Sequence, residues 1–165
     1  KDGSTTWITS EASRRDVQLV RAEHDAILTG GNTVRTDQPR MNARVEFPLI
    51  QPHKVLLSEQ KKWDLNLDFF QDSRVNIISE KNLVKVVENL SKQEINSLLV
   101  EAGPKLVNSF LNEELCDQLI VYQSPDKLGD DGVSWFENEA MIDKYDLSLK
   151  SSYTIDRDKK TVFEK

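Results

Sequence analysis

The chain has a single cysteine, Cys116, and only two histidines, His24 and His53, among 165 residues. One thiol cannot form an internal disulfide, and a domain of this size closes a core without staples. The expected setting is reducing and cytoplasmic, with Cys116 a small buried side chain just after a helix. Two histidines without paired cysteines leave little from which to build a metal centre, and His-x-Glu followed by Cys-x-x-Cys, the zinc-deaminase signature, is absent. No metal is expected; His24 at a helix end and His53 before a strand suit solvated or structural roles. There is no Gly-x-Ser-x-Gly elbow, and Cys116 has no histidine near it in sequence, so nucleophilic catalysis is not expected. Basic charge is also short. Against 28 Asp and Glu stand 22 Lys and Arg, a net charge of -6, which argues against nucleic acid and anionic membrane as general partners. No apolar run approaches the roughly 20 residues of a membrane span, and Lys1 to Thr6 are polar rather than signal-like. Gly-x-Gly-x-x-Gly is missing, which argues against the Rossmann fingerprint and leaves other nucleotide-binding α/β sheets open.

What is present alternates between strand and helix. Helical spacing runs from about Ser10 to Glu23, with Ser10 or Thr9 as cap and Glu11 in the first turn. Ala26 to Thr29 reads as a short buried strand that ends in Gly30-Gly31-Asn32-Thr33-Val34. An irregular loop marked by Asp37, Pro39 and Asn42 follows, then strands at Lys54–Ser58 and Val75–Ser79. Asp64 to Asp72 reads as a surface loop whose Trp63, Phe69 and Phe70 cover the core. A helix near Asn82 to Gln93 leads to the strand Leu98-Leu99-Val100. Glu101-Ala102-Gly103-Pro104 then turns into a second helix with Leu106, Val107, Phe110 and Leu111 on one face. Gln118 to Tyr122 is a further strand, followed by a Gly/Asp loop at Leu128 to Gly132. Two terminal runs, Leu147 to Ile155 and Thr161 to Glu164, flank the charged turn Asp156 to Lys160. The pattern predicts one α/β domain over residues 1–165, with a mainly parallel sheet, helices on both faces and an antiparallel C-terminal hairpin.

Two strand-to-glycine junctions, at Gly30-Gly31 and at Gly103-Pro104, open on the same edge of a parallel sheet. One elongated anionic ligand can span them, since helix starts carry unpaired N–H groups. Six arginines, Arg14, Arg15, Arg21, Arg35, Arg40 and Arg44, lie within residues 14 to 44 of a chain that is acidic overall. Guanidinium forks grip phosphate, although a solvated face with ordinary ion pairs would use the same residues.

Trp7-Ile8-Thr9-Ser10, Ala12 to Ala22, Asp25 to Gly30, Thr33-Val34, Asp37-Gln38-Pro39 and Asn42-Ala43-Arg44 together resemble the reductase domain of the bacterial riboflavin-biosynthesis deaminase/reductase. Glu101 to Pro104 and Asp117 to Tyr122 continue the likeness. The resemblance implies a dihydrofolate reductase-like fold and NADPH-dependent reduction of 5-amino-6-(5-phosphoribosylamino)uracil to its ribitylamino counterpart, in a homodimer. It implies that Thr5, Arg21, Met41, Arg44 and Glu101 meet substrate, with Arg21 and Arg44 on its phosphate. Trp7, Thr33 and Asp37, with the turn and helix start Gly103, Pro104, Lys105, Leu106, Val107, Asn108 and Ser109, would meet cofactor. The group that delivers the proton is not assigned; Asp37 and Glu101 are candidates. A homodimer would use a sheet edge among Tyr153, Ile155, Val162 and Phe163. Two departures stand out. The family opens its reductase domain with a lysine-bearing strand and a Ser-Leu-Asp-Gly turn that this sequence does not show, nor a preceding deaminase domain. Ser58-Glu59 stands where an Asp-Ser pair commonly ends the strand. The competing readings are a non-catalytic nucleotide-binding or assembly domain of the same fold, and a dihydrofolate reductase-like enzyme on another pterin or pyrimidine.

Overall fold

A computed structural model describes residues 8–126 and 142–165; Thr5, Trp7 and the Gly/Asp loop at 128–132 lie outside the described residues. Two compact units divide the chain, Gln18–Leu115 and the two flanking segments.

The central unit is built on a four-stranded parallel sheet, order β3-β2-β1-β4, from β1 (Ala26–Gly30), β2 (His53–Leu57), β3 (Val75–Ile78) and β4 (Leu98–Val100). Register is set by Leu28 opposite both Val55 and Val100. Side chains alternate between the faces, so both layers can be read from β1. Ala26 and Leu28 join Val55, Leu83, Val86, Leu90 and Phe110, which places α3 (Leu83–Ser91) and α4 (Pro104–Asn112) on one face. Ile27 joins Val34, Met41, Leu56 and Phe69 on the other. A parallel sheet covered on both faces needs near-continuous apolar strands, and β1 and β4 are such runs.

Caps fall where side chains can supply them. Asn82 accepts the Lys85 N–H at the start of α3, and Pro104 opens α4, where its missing N–H costs nothing. Two segments differ from the sequence reading. The stretch after Gly30 is not loop from the outset but a seven-residue helix, α2 (Gly31–Asp37), which seats Val34 in the second cluster. Asp64 to Asp72 holds a 3-10 turn, Asp68–Phe70, with Phe69 fully buried and Trp63 and Phe70 packed beside it. Beneath that turn Lys54 is fully buried, its Nζ donating to the carbonyls of Phe69 and Gln71 at 2.8 and 2.7 Å. Burial of the ammonium lowers its pKa to about 8.

The flanking unit holds an antiparallel sheet, order β5-β7-β6, from β5 (Gln118–Gln123), β6 (Ser148–Ile155) and β7 (Asp158–Glu164). The C-terminal hairpin is present as expected, and β5 pairs with its second strand rather than extending the parallel sheet. The charged turn shrinks to Asp156-Arg157, with Asp156 in left-handed backbone (φ 54°) and Ile155 paired to Asp158. Charges beyond it are consumed internally. Asp158, fully buried, accepts from the Ser10 N–H at 2.7 Å and the Ser13 hydroxyl at 2.6 Å, at the start of α1 (Glu11–Ala22). Burial opposes its charge, but those donors prevail and hold its pKa below the ordinary value. Lys160 pairs with Asp16 at 2.6 Å, and Tyr122 donates to the same carboxylate. Cys116 is half-buried rather than buried, its thiol pKa raised by burial and then by Asp117.

Candidate functional site

The carboxyl edge of the parallel sheet gathers most of the described site candidates, all from the central unit. The two glycine junctions are alike in sequence and differ in structure. A Cβ on Gly31 would stand 2.8 Å from Ser58 Oγ and 3.2 Å from the Trp63 ring, so glycine there lets α2 close on the end of β2. Among the described residues a Cβ on Gly103 would meet nothing within 4 Å, and its φ of -68° suits any residue. No described neighbour and no backbone angle requires glycine at 103, which leaves room for a ligand before the first turn of α4 among the described residues. The junctions adjoin, because a Cβ on Gly30 would lie 3.5 Å from Leu106 of α4.

Glu101, just past β4, is fixed by its N–H donating to the Leu28 carbonyl at 3.0 Å. Its carboxylate takes the Arg21 fork side-on, Nε to Oε2 at 2.8 Å and Nη2 to Oε1 at 2.5 Å. Arg21 comes from the last turn of α1 and is 9% exposed, so this is a charge pair largely out of water. Its remaining Nη1 donates to the Asn42 carbonyl at 3.1 Å. The Asn42 side chain in turn accepts from Arg44 Nη1 at 2.8 Å. Asn42 is thus the bridge between the two arginines, a role that sequence reasoning did not assign although the Asn42-Ala43-Arg44 triplet carried it. Met41 is buried with φ 46° and packs into the second apolar cluster, anchoring this loop from below.

Arg44 is the electrostatically unusual member. Arg44 is exposed overall, but the desolvation it does undergo lowers its pKa, and the like charges of Arg21 and Arg40 add to the effect, which Glu101 only partly offsets. Arg40 is already paired with Asp72 at 2.9 Å and Arg21 with Glu101. Among the described residues Arg44 has a neutral acceptor and no carboxylate partner, which is the electrostatic condition of a receptor for an anion.

Along α4 the edge opens into a cavity of about 350 Å³. Leu57, Ser58 and Glu59 line it from the end of β2, Ile78 to Lys81 and Leu83 from the β3–α3 connection, and Leu106, Ser109 and Glu113 from α4. Thr33 is half-buried on α2 and Asp37 exposed at its end; no hydrogen bond ties either to the arginines among the described residues. Lys105 is exposed, while Pro104 and Leu106 to Ser109 are partly buried. Phosphate-binding chemistry suits these residues: a helix start with a ligand-sized hollow along the same helix and, on the loop after α2, a guanidinium without a carboxylate partner among the described residues. Among the described residues no group of three or more His, Cys, Asp or Glu could hold a metal ion, and no helix is long and apolar enough to cross a membrane.

A parallel sheet flanked by helices, a three-stranded antiparallel sheet and an anion-ready strand-to-helix edge define an α/β protein of dihydrofolate reductase-like fold. The RibD C-terminal domain model matches residues 1–161, and the chain belongs to that family. It is 34% identical over 164 residues to the riboflavin biosynthesis protein RibD of Escherichia coli (strain K12), with 78% of this chain and 45% of that protein covered. It is 29% identical over 164 residues to the 5-amino-6-(5-phosphoribosylamino)uracil reductase of Buchnera aphidicola subsp. Acyrthosiphon pisum, covering 78% of this chain and 79% of that protein. A solved structure of Acinetobacter baumannii RibD superimposes with a TM-score of 0.83 at 27% identity, over 99% of this chain and 53% of that one. The chain spans just under half the length of the Escherichia coli relative.

Proposed function

We propose that this chain, as a reductase domain over residues 1–165, reduces 5-amino-6-(5-phosphoribosylamino)uracil to 5-amino-6-(5-phosphoribitylamino)uracil in riboflavin biosynthesis, with NADPH as reductant. The observation that carries the reading is Arg44, a guanidinium without a carboxylate partner among the described residues, beside the Arg21–Glu101 pair at the edge where Gly103 leaves a helix start open. When bound, NADPH supplies a hydride to C1 of the open-chain imine or aldehyde form of the sugar.

The chain's own residues position the reactants and manage the proton. At the start of α4 Gly103 and Lys105 would offer backbone N–H groups to a cofactor phosphate, Pro104 opening the turn and Leu106, Val107, Asn108 and Ser109 forming the first turns beside it, and the residues lining the cavity would hold the adenosine end. Thr33 and Asp37 would contact the cofactor from α2, and Trp7 would contact it as well. Arg44 and Arg21 would fix the substrate phosphate, and Thr5 and Glu101 would contact the remainder of the substrate; Met41, expected against substrate, is buried in the second apolar cluster and acts through the loop it supports. Because Glu101 already holds Arg21, it couples phosphate recognition to the reacting end. A proton from Asp37, Glu101 or a water held by them completes the reduction at nitrogen or oxygen. Orientation and exclusion of water, rather than a strong base, supply the rate.

The test is cofactor oxidation with phosphorylated and dephosphorylated substrate. A kcat/KM that falls sharply without the phosphate supports the assignment, and equal rates overturn it. The same reading assigns a cytoplasmic homodimer through a sheet edge; of the four residues expected there, Tyr153 and Ile155 lie on the outer strand β6, whereas Val162 and Phe163 lie on β7, paired on both sides by β5 and β6, and do not form an edge. Sedimentation at micromolar concentration decides this, a persistent 18.9 kDa species excluding a stable dimer.

A further inference from the structure

The cavity beyond α4 carries a charge pattern that a phosphorylated ribose would not be expected to favour. Three carboxylates line it, Glu59, Glu80 and Glu113, against a single cation, Lys81. That cation is occupied, since Lys81 Nζ sits 2.7 Å from Glu59 Oε1. Glu80 is committed elsewhere and stays ionised, its Oε1 accepting the Asn82 N–H at 2.9 Å, which lowers its pKa. Carboxylates accept hydrogen bonds from a ribose diol, while a 2′-phosphate is favoured by a cation and opposed by neighbouring carboxylates.

We infer that Glu59 competes with the cofactor's 2′-phosphate for Lys81, so that this ion pair sets the choice between NADPH and NADH and brings their affinities close together. The inference rests on the cofactor reading above and adds the group that governs its selectivity. Both side chains are exposed, 77% for Lys81 and 70% for Glu59, so the pair opens at little cost and its influence is graded. A bound 2′-phosphate must share Lys81 with Glu59 or displace it, and in either case meets the carboxylate's like charge, whereas a 2′-hydroxyl leaves the pair intact and can donate to the carboxylate. Exposure also makes the effect dependent on salt.

The experiment measures Kd for NADPH and for NADH on the purified protein by calorimetry, for the unmodified chain, Glu59→Gln and Lys81→Met, at low and high ionic strength. The expected result is NADPH binding tighter by about threefold to tenfold in Glu59→Gln at low salt, with NADH unchanged or slightly weaker. Lys81→Met should weaken NADPH and spare NADH, and high salt should compress both differences. If both nucleotides bind and their ratio is the same in all three proteins, the inference is overturned while the cofactor reading stands. If neither binds to the unmodified protein, the cofactor reading fails and the inference with it.

Discussion

Replacing Glu101 by glutamine tests whether the arginine cluster is held as the structure has it. Arg21 places two N–H groups on the carboxylate, and its side chain is 9% exposed against 35% for Glu101. Glutamine keeps one oxygen and turns an NH₂ toward the guanidinium, so one charge-assisted bond is lost, worth about 1.5–3 kcal/mol. The arginine is left with a neutral amide and the Asn42 carbonyl. A fully buried pair broken in this way costs about 3–5 kcal/mol; the partial exposure of Glu101 brings the expectation to about 2–3 kcal/mol. For a domain of this size that is roughly 4–12 °C in Tm. Urea unfolding followed by far-ultraviolet circular dichroism reads the loss, with an unchanged m-value marking it as stability alone. Arg21→Gln added to Glu101→Gln should recover part of it, because the uncompensated charge is then gone. A loss under about 0.5 kcal/mol, within the range of an ordinary surface substitution, would show that the pair is not formed in solution.

Arg44→Ala should raise KM for the phosphorylated substrate by at least about tenfold while leaving Tm nearly unchanged, since Arg44 is exposed; an unaltered KM would remove it from phosphate recognition. Gly103→Val should weaken NADPH binding at a stability cost of no more than about 1 kcal/mol, because φ is -68° and the space before it is empty; unaltered affinity in a folded variant would make the junction structural only. Lys54 provides a pH test. Its pKa is about 8 when folded against 10.5 for the free side chain, so between those values the unfolded chain retains a proton that the folded chain has released. Stability should therefore rise with pH through that window, by at most about 3 kcal/mol relative to Lys54→Met; parallel pH profiles for the two proteins would refute the burial argument.

Local chemistry made much of the central unit legible. Leu98-Leu99-Val100, the Pro104 helix start and the Ser10 cap are short-range signals, and each lies where spacing puts it. Helix α2 escaped because its seven residues have one apolar anchor, Val34, and no side-chain cap; packing on the sheet makes it helical. Asp158 and Lys160 read as turn charges because their partners, Ser13 and Asp16, are 145 and 144 residues away. Lys54 likewise gave no sign of burial, since the carbonyls that receive it belong to a 3-10 turn that composition marks as loop. The site divides the same way. Arg21, Arg44 and Glu101 were nameable through resemblance, but that Arg21 is clasped by Glu101 across 80 positions, and that Asn42 joins it to Arg44, is tertiary information. Gly31 and Gly103 look equivalent in sequence, and only their neighbours separate a packing glycine from one that faces open space.

The most direct test of the account is transfer of label from NADPH carrying deuterium at both nicotinamide C4 positions to 5-amino-6-(5-phosphoribosylamino)uracil, followed by mass spectrometry of the product. Hydride delivery at this site predicts a ribitylamino product carrying one deuterium at C1 of the sugar, formed only with the protein present and lost with Arg44→Ala at low substrate. Cofactor bound without oxidation, or oxidation without deuterium at C1, would contradict it.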